Sequence, residues 1–181
     1  VLDHPSISGL GAMTLAVWVR FDEAAPNQSL VSKYADDNDG EYLLQLTPPG
    51  ETRIVLQGNG DRIFKNHAEV CAQGQWCHLT MVYDGAVPNS GSLFMNGHKL
   101  EVTGVNQAVS GPLKDTELNL QIGRKLATAG PEQFVDGAIG QVAIWDVAMS
   151  DEAAAELAST PVDLDHAALV AHYNFGAGVG D

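Results

Sequence analysis

The stretch QGQWCHLTMVYDGAVPNSGSLFMNGHKLEV, residues Gln73–Val102, decides the fold. Trp76 to Tyr83 alternates, with Leu79, Met81 and Tyr83 on one face and His78, Thr80 and Val82 on the other, a period of two that belongs to a strand. A Pro/Asn/Ser/Gly loop then leads to a second β-favouring run, Ser92–Met95. Asn96-Gly97 follows, and this pair supplies the positive φ that a type I′ turn needs at both central residues. Ser92–Met95 and His98–Val102 are therefore expected to pair as a tight hairpin, making the whole stretch an antiparallel meander.

The pattern repeats outward in both directions. Met13–Phe21 alternates Leu15, Val17, Val19 and Phe21 against Thr14, Ala16, Trp18 and Arg20, and both faces are apolar enough for a strand covered on two sides. Further strands are expected at Ser29–Tyr34, Tyr42–Thr47, Thr52–Gln57, Glu117–Ile122, Gly137–Asp146 and Leu169–Phe175, with a shorter one around Ile63 and Phe64. Arg124–Gln133 reads as an exposed rim loop. Ser150 followed by Asp151 and Glu152 reads as a helix N-cap with acids in the first turn, so one short helix is expected at Ser150–Leu157. Strands of this spacing with one late helix predict an all-β, antiparallel two-sheet jelly-roll sandwich, a single domain over residues 1–181.

The chain carries 9 basic and 23 acidic residues, a formal charge of −14, which argues against nucleic acid as a partner. It suits cations or a solvated acidic surface. No run of about 18 apolar residues is present, so membrane insertion is not expected. The opening VLDHPSISG has neither a basic nor an apolar leader region, and the expectation is a domain of a larger parent protein with neighbouring domains. Cys71 and Cys77 lack the spacing of a zinc or redox motif and flank a turn, which leaves two readings, a local disulfide or two buried thiols.

Taken together, LAVWVRFD, SLVSKY, GQWCHLTMVYDG, SLFMNGHKLE, LNLQIGR and FVDGAIGQVAIWDVAMSDEAAAEL, in this order, resemble the laminin G-like, concanavalin A-like jelly-roll family. The resemblance covers nearly the whole chain. It implies a non-catalytic binding module of an extracellular or cell-surface protein, recognising a glycan or an extracellular protein, often with calcium at one rim. The fold also carries glycosidases, so the site must decide. A calcium-binding Asp of laminin-type members precedes the strand matched here by Tyr42–Leu46, which places the candidate in Asp36–Gly40. A second family position, an Asp in the late strand, is replaced here by Gly140-Gln141.

Asp36, Asp37, Asn38 and Asp39 crowd oxygen donors into one turn, the chemistry of a calcium ion, which takes six to eight oxygens at about 2.3–2.6 Å. Such a run is equally an ordinary solvated turn. Asn59 and Asp61 in the next rim loop are the expected neighbours of a Ca2+ site, and Tyr34, Arg62, Arg124 and Gln133 are the candidate ligand contacts. Trp18, Trp76 and Trp145 are assigned to the core, where the family pattern has aromatics. Strands of period-two carboxylates, GxSxG, HExxH and phosphate loops are all missing from the sequence, so no enzyme is expected. The functional expectation is a calcium-dependent carbohydrate-binding, adhesin-like module; the alternative is a protein- or peptide-binding adhesion module or a spacer. Leu169–Phe175 is expected to close the sandwich beside the N-terminal strand, burying Tyr173 and Phe175.

Overall fold

A computed structural model describes residues 1–23, 27–36, 39–47, 51–58, 62–68, 71–104, 109–127 and 130–176, with the backbone alone at 62–64 and 131. In chain order the strands are β1 (Ala12–Phe21), β2 (Gln28–Asp36), β3 (Asp39–Thr47), β4 (Glu51–Gln57), β5 (Arg62–His67), β6 (Trp76–Asp84) and β7 (Ser92–Met95). They continue with β8 (His98–Leu100), β9 (Gln121–Ile122), β10 (Lys125–Ala127), β11 (Gly130–Glu132), β12 (Gly137–Trp145) and β13 (Leu169–Asn174), and one helix, α1 (Asp151–Glu156), precedes β13. A six-stranded sheet runs β13-β12-β1-β6-β7-β8, and a five-stranded sheet runs β5-β4-β3-β2-β9. Their pairings are antiparallel, and the expected jelly-roll sandwich is the architecture found. Among the described residues no helix is long and apolar enough to cross a membrane.

Alternation builds the core. Met13, Leu15, Val17, Val19 and Phe21 of β1 and Leu79, Met81 and Tyr83 of β6 face Leu30, Tyr42, Leu44, Leu46, Ile54 and Leu56 of the other sheet, all buried. Each such side chain contributes about 1.5–3 kcal/mol relative to leaving it exposed. The meander forms as its sequence dictates: Leu79 pairs with Met95 and Phe94 with Lys99. Asn96 (φ 49°) and Gly97 (φ 80°) make the left-handed turn between β7 and β8. Ser150 caps α1 by accepting from the Ala153 N–H at 3.3 Å, with Asp151 and Glu152 in the first turn.

Several elements differ from the sequence reading. The strand expected at 117–122 pairs only at Val31 with Ile122 and Ser32 with Gln121, and Leu113 and Leu120 reach the core from chain outside any ladder. The segment 124–133 is not a plain loop but contains the β10–β11 ribbon, which lies against β2. β13 pairs with β12, which separates it from β1, although it also touches the 3-10 turn Pro5–Ile7. Tyr173 packs on the core, whereas Phe175 lies past the strand end and is 50% exposed. Cys71 and Cys77 form a disulfide.

One polar cluster is sealed inside. Lys33 and Glu41 are both fully buried and paired, and the Lys33 ammonium also reaches Asp3 Oδ1 at 2.9 Å and the Thr116 carbonyl at 2.9 Å. Glu41 further accepts from the Thr116 N–H (2.9 Å), the Thr116 hydroxyl (2.7 Å) and the Gly9 N–H (3.0 Å). Buried charges persist only when paired and hydrogen-bonded, and this cluster ties the N-terminal segment and the 113–120 segment to β2 and β3. The Ser8 hydroxyl and then the Lys33 ammonium hold the Asp3 carboxyl below its ordinary range.

Candidate ligand-binding groove

The outer face of the six-stranded sheet carries the alternate residues of each strand. On β1 these are Thr14, Ala16, Trp18 and Arg20, opposite Val82, Thr80, His78 and Trp76 of β6. The chain from 146 to 168, including α1, straps across one half of this face. It covers Ala16, Ala143 and Trp145 with Met149, Leu157, Val162 and Ala168, and Val82 and Phe94 with Ala154 and Met149. The Thr14 hydroxyl fixes it, donating to the Val147 carbonyl (2.8 Å) and accepting from the Met149 N–H (3.1 Å). Trp145 is accordingly a core residue, as expected. Trp18 and Trp76 are not: they lie beyond the strap, half-buried, which corrects their assignment to the core.

Between these two indoles and the strap runs a groove of about 440 Å³. Its floor is Trp18, Trp76, Gly140 and Gln141; residues 157–161 form the wall, and Asn174 of β13 closes one side. Gly140 is the extra residue of a bulge, since Trp18 pairs with Gln141 but Val19 with Ile139. A Cβ at Gly140 would sit 3.2 Å from the Trp76 ring carbons, so its absence lets the indole lie down on the strand. The Cys71–Cys77 disulfide, next to Trp76, and the Gly74 N–H, which donates to the Phe21 carbonyl at 2.7 Å, hold the approach to β6. Under Trp18 lies His78, ring centroids 5.0 Å apart; it is 3% exposed, and burial pushes its imidazole down to about 4, so it is neutral at physiological pH. His78 is a buried structural ring on the strand beside Trp18.

The polar groups of the groove are neutral and held. Gln141 Nε2 lies 2.8 Å from His172 Nε2 on the neighbouring strand, and Asn174 Oδ1 accepts from the Gly176 N–H at 2.9 Å. The Ser159 and Thr160 hydroxyls both donate to the Glu156 carbonyl, at 3.2 and 2.8 Å. The Arg20 guanidinium lies 5.8 Å from the Trp76 ring centroid and is paired with Asp22 at 3.2 Å.

Among the described residues, those proposed from sequence do not converge on one site. Tyr34 is buried beneath the ribbon, with Lys125 Nζ 5.8 Å from its ring centroid and Gly40 directly under the ring, which corrects its placement as an exposed rim contact. Gln133 latches the far end of β2: its carbonyl accepts from the Ser29 N–H and its Oε1 from the Ser29 hydroxyl, both at 2.8 Å. Arg124 is exposed and donates through Nε to Gln121 Oε1 at 2.7 Å. Arg62 lies on β5 opposite Gln57, its side chain outside the described atoms. Asp37, Asn38, Asn59 and Asp61 lie outside the described residues.

Asp36 and Asp39 do close the β2–β3 hairpin together, Asp36 Oδ1 accepting from the Asp39 N–H at 3.1 Å. Lys114 Nζ stands 3.8 Å from Asp39 Oδ1, and the Lys114 N–H donates to the Gln57 carbonyl, so the hairpin and the end of β4 share a rim. Two carboxylates, one facing a lysine and one engaged on backbone, fall short of the six to eight oxygens calcium takes, and the described residues alone do not fit that ion. No group of three His, Cys, Asp or Glu side chains poised for a metal occurs among the described residues.

A Bacteroides ovatus protein assigned as carbohydrate-binding superposes with a TM-score of 0.72 at 15% identity over 96% of this chain, which spans 48% of that protein's length. The CBM40 of the Ruminococcus gnavus IT-sialidase superposes at 0.68 with 14% identity, covering 84% of this chain and 85% of that one. Domain 4 of a GH43 extracellular arabinanase from Geobacillus stearothermophilus, in complex with arabinotriose, superposes at 0.61 with 16% identity, over 84% and 69% of the two chains. At these identities the likeness is one of fold. No curated protein matches the sequence. A family profile does, over residues 1–155, and the chain belongs to the concanavalin A-like lectin/glucanases superfamily.

Proposed function

We propose that this domain is a non-catalytic carbohydrate-binding module of a larger extracellular or cell-surface protein, and that the Trp18–Trp76 groove is its ligand site. The observation that carries the reading is the pair of half-exposed indoles on an open sheet face, flanked by fixed amides and hydroxyls. Large flat aromatic surfaces match the apolar face of a sugar ring, while a few placed polar groups fix its orientation. Solved neighbours with the same fold include a CBM40 bound to sialyllactose and an arabinanase domain holding arabinotriose, which supports the substrate class. The described residues of the groove lining include no carboxyl group, whereas glycoside hydrolysis uses two, and this favours the non-catalytic reading. The disulfide supports an oxidising, extracellular setting.

A glycan array probed with wild type and Trp76→Ala tests the reading. Signals for particular sugars that Trp76→Ala loses are expected; silence across a broad array would favour a protein-binding or spacer role instead. Calcium is a separate proposal for the 36–39 turn, resting on the sequence run and not on the groove. Added calcium should raise the melting temperature, EDTA should reverse this, and Asp36→Ala should remove the increment. A melting curve that ignores both reagents rejects the calcium proposal without touching the groove.

A further inference from the structure

We infer that the groove takes an uncharged, hydroxyl-rich glycan end and discriminates against anionic sugars; this rests on the glycan-binding reading and names its ligand class. The argument is a matter of which hydrogen-bonding valences are left. A carbonyl can only accept, so the Ser159 and Thr160 hydroxyls, both directed at Glu156 O, spend their protons there and offer only lone pairs to a ligand. A sugar hydroxyl can donate to those lone pairs. A carboxylate or sulfate has acceptors alone and would meet them as a repulsive wall.

On β13, Asn174 uses its carbonyl on the Gly176 N–H, leaving the amide NH2 as the donor to a ring or hydroxyl oxygen. The lining thus offers both acceptors and a donor, which is the demand of a hydroxyl group that does both. Among the described lining residues none carries a positive charge. The guanidinium beside Trp76 is already paired with Asp22, and the net charge of −14 repels anions from the domain as a whole. The space, about 440 Å³, lies toward the small end of ligand pockets, suited to the end of a glycan and not to a long chain.

The experiment titrates the intact domain with neutral oligosaccharides, each matched with its sialylated or glucuronic-acid-bearing form, by calorimetry and tryptophan fluorescence. The neutral member of a pair is expected to bind about tenfold more tightly or better than its anionic partner. Trp76→Ala should abolish the fluorescence response. Asn174→Asp, at an exposed edge position where folding is not at stake, should weaken the neutral sugar about fivefold by turning a donor into an acceptor. Trp76→Phe keeps a ring on the strand and separates loss of stacking from loss of fold. Equal or tighter binding of the anionic member, abolished by Trp76→Ala, would overturn the charge inference and leave the glycan-binding function standing. Binding that ignores both Trp76→Ala and Asn174→Asp would overturn the groove as the site, and absence of binding across all pairs would overturn the glycan reading itself.

Discussion

Replacing Glu41 by Leu exposes how the sealed charge cluster contributes to stability. The carboxylate accepts from Lys33 and three further donors, the Gly9 N–H, the Thr116 N–H and the Thr116 hydroxyl, and both charged side chains are fully buried. Breaking a buried pair from one side costs about 3–5 kcal/mol, since the partner charge is stranded. Here Asp3 still neutralises part of the ammonium at 2.9 Å, which moderates the loss. Two backbone N–H groups lose their acceptor at the same time, each costing about 1–3 kcal/mol if no water reaches it. These offsetting effects place Glu41→Leu near 4 kcal/mol, or about 8–16 °C in melting temperature for a domain of this length. The double variant Lys33→Met, Glu41→Leu removes the stranded charge and keeps the volume apolar, so its cost should fall to about 2 kcal/mol, less than Glu41→Leu alone. Urea denaturation of wild type, both single variants and the double variant measures the cycle. If the two single losses simply add, the pair is not coupled and the reasoning fails; a Glu41→Leu cost below about 1 kcal/mol would mean that water reaches the cluster.

Two other perturbations read the groove's foundations. Burial depresses His78 to about 4 from an ordinary 6.5, so between these values the unfolded chain binds a proton that the folded chain refuses. Its stabilising contribution is complete above 6.5 and declines as the pH falls toward 4, by at most about 3 kcal/mol; His78→Gln should flatten that part of the stability–pH curve, and an unchanged slope would show that the ring is solvated. Removing the Cys71–Cys77 bridge as a double Ala variant should lower stability by about 2 kcal/mol, the entropy of a short closed loop, and weaken sugar binding through Trp76. Affinity that is indifferent to reductant would detach the bridge from the groove.

What the sequence made legible is what depends on period and turn chemistry. Leu15 to Phe21 and Leu79 to Tyr83 announced the core faces, Asn96-Gly97 the hairpin, and Ser150 the helix cap. The same alternation already put Trp18 in step with Thr14 and Ala16, and Trp76 in step with His78 and Thr80, on the face away from the core. Period alone does not say what covers that second face or where the cover stops. The extent of the strap is set by the packing of Met149, Leu157 and Val162 on Ala16, Ala143 and Trp145, a tertiary match without a local signature. Tyr34 was misplaced for a related reason, since the ribbon that buries it is two very short strands whose sequence reads as loop. Lys33 and Glu41 do carry a local signal: charged residues inside strands flanked by Leu, Val and Tyr have to be paired or exposed.

Ser159 and Thr160, in the middle of the wall, hang from a single point. The N–H groups of Ser159 and Thr160, as well as their hydroxyls, all end on the carbonyl of Glu156, and none of these bonds belongs to a sheet ladder. The proposed recognition surface is therefore separable from the scaffold that bears it. Lengthening or rewriting residues 158–161, with Leu157 kept on Ala16, Ala143 and Trp145, would recut the groove against an unchanged indole floor, so a library confined to that interval would change the ligand of the proposed site while the folding remained that of the parent sandwich.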